Sequence, residues 1–261
     1  MSEVRRHGSR ARSAIFAPLS EVGRAGQVEQ RLTEAIRSGV LVEGERLPSE
    51  PELAGMLGVA VVTVREALTG LRAQGLVTTS RGRGGGTVVA AGAAADEAAL
   101  AERLGSMSRA ELQDRATQYV LVLAGCAEVA AERADAAEAE SLRSLLPAED
   151  LPVEAQSVGA WRHADAELWL SIAALTQSAR ITRDVVRLEA DFGMVARIPL
   201  SDPDVRARTI AGHQELIDAI EAGDAESARR CARRHLQETL DLVARTQAEV
   251  HDRHRIPRSA S

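Results

Sequence analysis

The sequence contains no lysine: all 32 of its Lys and Arg positions are arginine, a bias that a GC-rich genome produces. A pyridoxal-phosphate enzyme needs a Schiff-base lysine and a Walker P-loop needs a lysine on its phosphates, so both classes are excluded. Cysteine is nearly absent as well. The two present, Cys126 and Cys231, fall in helical patterns without metal-type spacing, which points to a reduced environment and buried free thiols. There is no long apolar run, secretory signal or lipidation motif, so the expected location is cytoplasmic, with no membrane partner.

The charge that is there is unevenly placed. The 261 residues carry a net charge of -6. Residues 1–90 hold 12 arginines and 9 acidic residues, net +3, while residues 91–261 hold 20 and 29, net -9. That asymmetry puts a polyanionic partner at the N-terminal end, and the length leaves room for a second, larger domain with its own core.

Between Val40 and Val89 the local signals are dense. Ser49 stands three residues before Glu52, the capping-box spacing, and Pro51 falls in the first turn, where no intrahelical donor is needed. A short helix carrying Leu53, Ala54 and Leu57 inward then ends at Gly58, a left-handed C-cap, and the chain re-enters helix from about Val62 to Gln74. Two short helices across a tight turn make a helix-turn-helix. After Gly75, Leu76–Thr79 and Thr87–Val89 are β-prone runs separated by Arg81, Gly82, Arg83, Gly84 and Gly85, a hairpin with a cationic tip.

These residues resemble the N-terminal domain of the GntR family of bacterial transcription factors. The resemblance is carried by Gly44-Glu45-Arg46-Leu47-Pro48-Ser49-Glu50, Thr63-Val64-Arg65-Glu66-Ala67-Leu68 and the glycine wing ending Gly86-Thr87-Val88-Val89. It implies a partner, double-stranded operator DNA, and contacts from Ser49, Thr63, Arg65, Arg81, Arg83 and Gly84. Arginine suits bidentate guanine or phosphate contact. The alternative for Arg65 is an ion pair with a nearby acidic residue, and Arg72 reads as a solvated helix residue. Two departures remove polar contacts: Ala60-Val61-Val62 stands where the family places hydroxyl and arginine side chains, and Pro51 replaces a common arginine.

From Asp96 onward the pattern is helix after helix: a long one opened by Ser108 and Glu111, a shorter one capped by Asp135, then segments from about Glu154 to Leu175, Ala179 to Ala196, Pro203 to Ala222 and Ala225 to Gln247. The expected fold class is therefore mainly α, an N-terminal winged helix-turn-helix with a small β-hairpin wing followed by an all-α helical bundle. The expected divisions are a flexible basic arm at 1–20 with Arg5, Arg6, Arg10 and Arg12, a DNA-binding domain at 21–90, a linker at 91–96, an effector-binding and dimerisation domain at 97–247, and a polar tail at 248–261.

This second half resembles the FCD domain of the FadR-like GntR branch, a helical bundle that binds small carboxylates, often through a metal. Ala130-Ala131-Glu132-Arg133, Asp165, His213 before Gln214-Glu215-Leu216-Ile217, and His235-Leu236 carry that resemblance. It implies an effector pocket of Tyr119, Asp165, Trp169, His213 and His235, with Asp165, His213 and His235 as ligands of a divalent metal such as zinc or nickel. The family's remaining histidine ligand, four residues after the aspartate, is Trp169 here, and a frequent arginine and glutamate of the long helix correspond to Tyr119 and Leu123. An indole does not ligate a divalent ion, so little metal is expected in the protein, and Trp169→His is expected to increase its uptake. Alternatively the histidines are bundle residues and Asp165 answers an arginine. Trp161 and Trp169, two helical turns apart, either line the cavity or pack the core.

The function implied is a ligand-responsive transcriptional regulator, a homodimeric repressor released or modulated by a small-molecule metabolite. The alternatives are an effector-independent DNA binder, whose second domain would lack a cavity, and a metal-dependent enzyme, for which no positioned nucleophile is visible.

Overall fold

The computed structural model describes Phe16 and residues 24–80, 85–90, 97–146 and 158–255. The four arginines of the arm, the wing tip with Arg81, Arg83 and Gly84, and the 91–96 linker lie outside the described residues.

The first domain starts with α1, Arg24–Arg37, which buries Val28, Leu32, Ala35 and Ile36 at helical spacing. Helices α2, Glu50–Leu57, and α3, Val61–Ala73, follow with their axes at 110°, the crossing of a helix-turn-helix. Gly58 makes the turn at φ 65°, a left-handed conformation that costs a glycine nothing. The capping box forms with one change. Glu52 accepts from the Ser49 amide at 2.8 Å, but it also takes the Ser49 hydroxyl at 2.6 Å. Strands β1, Val77–Ser80, and β2, Gly86–Val89, pair antiparallel in the register Val77 to Val89 and Ser80 to Gly86.

The second domain is helical throughout its described residues: α4, Glu97–Ser106; α5, Arg109–Arg133; α6, Ala136–Arg143; α7, Val158–Leu175; α8, Ala179–Leu188; α9, Pro203–Glu221; and α10, Ala225–Arg255. Helix α8 runs directly into a π-helical turn, Glu189–Gly193, and a further helical turn, Met194–Ala196. A 3-10 turn, Ile198–Ser201, leads to α9. Helix α10 continues past Gln247, where a tail was expected, because α4 is there to hold it. The Gln247 amide donates to the carbonyls of Leu104 and Met107 at 3.3 and 2.9 Å, and His251 Nε2 meets the Gly105 carbonyl at 2.9 Å. Cys126 is buried as expected and burial pushes its thiol up to about 12, whereas Cys231 is only half-buried. Among the described residues no single helix is long and apolar enough to cross a membrane.

The two domains share a packed boundary. Helix α1 lies against the π-turn and the end of α8, with Arg187 Nε 3.6 Å from Glu34 Oε2. Gly39, at φ 83°, sits on α7: a Cβ there would come within 3.6 Å of the His163 ring and 3.7 Å of Ala166.

Candidate functional site

The outward face of the helix-turn-helix is built by α3. Val64, Ala67, Leu68 and Leu71 turn inward, which leaves Val61, Val62, Arg65, Glu66 and Thr69 outward. Its first turn is apolar and open, with the Val62 side chain 66% exposed. Arg65 lies 2.9 Å from Glu50, so the ion pair considered as the alternative is formed; its side chain is still 63% exposed. An exposed pair of this kind is worth only about 0–1 kcal/mol and does not prevent the guanidinium from turning to another partner. Thr63 is half-buried, and Ser49, exposed, has its hydroxyl on Glu52. Arg72 bridges helix and wing, donating to Thr69 at 2.7 Å and to Thr79 at 3.1 Å.

The second site is a polar cluster inside the bundle. Asp165 and Trp169 come from α7, Tyr119 from α5, His213 from α9 and His235 from α10, so the five residues named from the sequence do converge. Ligand atoms of Asp165, His213 and His235 lie within 4.8 Å of one another, a spacing and donor set that would suit a divalent ion. Trp169 stacks on His235 at 6.3 Å between ring centroids and meets His213 edge-on at 5.9 Å. Trp161 lies elsewhere, under the Arg206 guanidinium at 5.8 Å.

Two residues of the cluster escaped the sequence reading. Arg197 donates from Nε to Asp165 Oδ2 at 2.6 Å and stands 2.6 Å from Glu189 Oε2 through Nη1. Glu189 in turn accepts from the Tyr119 hydroxyl at 2.8 Å. Arg197 is 3% exposed and Glu189 fully buried. The polar pair that the resemblance places on the long helix is thus supplied from the continuation of α8. A signal existed: Glu189 falls between Val185, Val186 and Phe192, and Arg197 between Gly193 and Leu200, so each charge lies on an apolar stripe.

Burial works against charge at Asp165, but Arg197, followed by His213 and His235, holds its carboxyl below the usual range. Burial raises Glu189 despite Arg197 and Tyr119. Burial also works against charge on Arg197, yet Glu189, Tyr119 and Asp165 keep it well above its ordinary value. Burial, helped by His235, lowers His213 to about 3, so its ring is neutral at pH 7.

A metal meets an obstacle here. The Arg197 guanidinium is bonded to the one carboxylate of the donor set, and a divalent ion within about 4 Å of a guanidinium is repelled by about 8 kcal/mol at an effective dielectric of 20. The residues as they stand therefore do not fit a bound divalent ion. The cavity they leave is about 20 Å³, room for about one water.

A winged helix-turn-helix joined to a helical bundle with a buried polar cluster defines a DNA-binding regulator with a separate sensing domain. Residues 24–89 match the bacterial regulatory proteins, gntR family, and residues 119–238 match the FCD domain. A Mycobacterium gastri protein named as the HTH-type transcriptional regulator RmpR is 32% identical over 233 residues, covering 87% of this chain and 83% of that protein. The HTH-type transcriptional repressor NanR of Edwardsiella tarda is 41% identical over 76 residues, 29% of this chain and 27% of its own length. The solved structure of Escherichia coli McbR/YncC is 19% identical, with a TM-score of 0.47 over 86% of this chain and 99% of that one. The chain belongs to the gntR family, with an FCD domain behind its DNA-binding domain, and is a transcriptional regulator.

Proposed function

We propose that the protein is a cytoplasmic, homodimeric repressor whose operator affinity is set by a small molecule at the Asp165–Arg197–Glu189 bridge, acting by binding and not by catalysis. One observation carries this reading. Both carboxylates that grip Arg197 sit on the segments that touch the DNA-binding domain: Asp165 precedes Ala166, which faces Gly39, and Glu189 opens the π-turn that packs on α1. A ligand that alters the bridge therefore moves the backbone on which the reader rests, and a differential contact of that kind is what shifts an operator-binding equilibrium.

On the DNA side, Arg65 and the wing arginines Arg81 and Arg83 would supply the charged contacts. The exposed Val61 and Val62 would supply apolar ones, which in the major groove means thymine methyl groups. Two half-sites need two readers. A mixed groove of about 680 Å³ between α5 and α10, lined by Val120, Leu240 and Leu121, which is 60% exposed, together with Arg233, Gln237 and Asp241, offers the face on which a second copy would pack.

Footprinting of genomic operator candidates, with and without a panel of metabolites, tests the reading. A protected palindrome whose protection changes with one metabolite supports it. The 20 Å³ cavity favours a second reading, effector-independent DNA binding, and protection that no metabolite alters would establish that one instead.

A further inference from the structure

We infer that Arg197 is the built-in cation of the buried cluster: its guanidinium does the work a divalent ion would do between Asp165 and the histidines, and keeps such an ion out. The inference deepens the proposed effector site and rests on that reading. Its test uses no DNA, so its failure and the failure of operator control are separable.

Several observations converge on Arg197. The three metal-type donors are gathered within 4.8 Å, as a cation site would require. The residue that would complete them, Trp169, offers only an N–H donor and fills its place by stacking on His235. The guanidinium then reaches in from the chain following the π-turn. It takes the Asp165 oxygen through Nε at 2.6 Å and a second carboxylate, Glu189, through Nη1 at 2.6 Å. Glu189 belongs to this substitution. It is not among the three clustered donors, yet it is fully buried, with Arg197 Nη1 2.6 Å from one oxygen and the Tyr119 hydroxyl 2.8 Å from the other.

The guanidinium is held between two carboxyl groups, with Asp165 Oδ2 and Glu189 Oε2 each 2.6 Å from it. A divalent ion added to this arrangement would stand beside a fixed positive charge and compete for Asp165.

The open valence of the site also belongs to Arg197. Its Nη2 is buried and has no hydrogen-bond partner, whereas His213 Nε2 faces Asp165 Oδ1 at 3.3 Å. A buried donor of this kind calls for an acceptor oxygen. A ligand of the cluster would accordingly bring an oxygen acceptor directly to Nη2, with no bridging metal.

This revises the expectation that Trp169→His alone restores metal uptake, because Arg197 would still hold Asp165 Oδ2 and keep its positive charge beside the donors. The test is zinc uptake by the full-length chain after dialysis against chelator, measured by elemental analysis and titration calorimetry. Native protein is expected to take up no zinc that depends on Asp165, with Asp165→Asn as the reference for surface binding. Trp169→His should behave like native protein. Arg197→Met combined with Glu189→Gln removes the guanidinium and its second carboxylate together. It should gain a single zinc site per chain, lost again on adding Asp165→Asn, and zinc should raise its melting temperature. Asp165-dependent zinc in native protein would overturn the inference, as would uptake by Trp169→His alone, or a folded double variant that binds no zinc. Should the double variant not fold, the native and Trp169→His results decide.

Discussion

Acidification should reveal His213 as a buried neutral group. Its folded-state value of about 3 lies below the 6.5 of an exposed histidine, so between those limits the unfolded chain binds the proton that the folded chain refuses. The sign follows: His213 contributes stability that is complete above pH 6.5 and is lost as pH falls toward 3. The full difference corresponds to about 5 kcal/mol, of which about 2 kcal/mol is lost between pH 7 and pH 5. Glu189 acts in the opposite direction, since its raised carboxyl favours the folded state on protonation, and Asp165, held low, stays ionised over this range. The comparison that isolates His213 is therefore with His213→Gln, which keeps the other groups. Denaturant unfolding of both proteins at pH 7, 6 and 5 measures it. The native protein should lose about 2 kcal/mol more than the variant over that range. Parallel losses would refute the assignment of a buried, neutral imidazole.

Other expectations concern DNA and assembly. Replacing thymine by uracil at a base read by Val62 removes one methyl contact, worth about 0.8 kcal/mol or roughly fourfold in affinity, and Val62→Ala should be insensitive to the exchange; equal sensitivity would dismiss the apolar contact. Arg65→Ala should cost about 1–3 kcal/mol in operator affinity and relax specificity at one position, whereas Arg81→Ala should weaken all sequences alike and flatten the salt slope by about 1. Unchanged footprints for both would remove these contacts. Leu121→Glu should shift sedimentation toward monomer, and native protein that sediments as a monomer on and off DNA would contradict the dimer.

What could be read in advance was what is local. Pro48-Ser49-Glu50-Pro51-Glu52 and Gly58 specify caps and turns within a few residues, and both helices of the reader appear where those signals place them. The Arg65 to Glu50 pair was less accessible, because its members are fifteen residues apart and meet only through the 110° crossing. The length of α10 depends on α4 and the residue that follows it, since the carbonyls of Leu104 and Met107 receive Gln247 from 143 and 140 residues away. At the buried site the aspartate, histidines and tyrosine were visible as a resemblance. Glu189 and Arg197 were visible only as charges on an apolar stripe, and their pairing with Asp165 and Tyr119 joins four separate segments, which periodicity along one helix does not record.

The measurement that most directly tests control of the reader from the buried bridge is operator affinity of Glu189→Gln against native protein, by fluorescence anisotropy at fixed salt, with folding and dimerisation checked by melting and sedimentation. This substitution removes one of the two carboxylates holding Arg197, on the turn that packs against α1. Coupling through that turn predicts a change in operator affinity of about fivefold or more, in the range of ordinary allosteric coupling. A folded, dimeric variant that binds the operator with native affinity would contradict it.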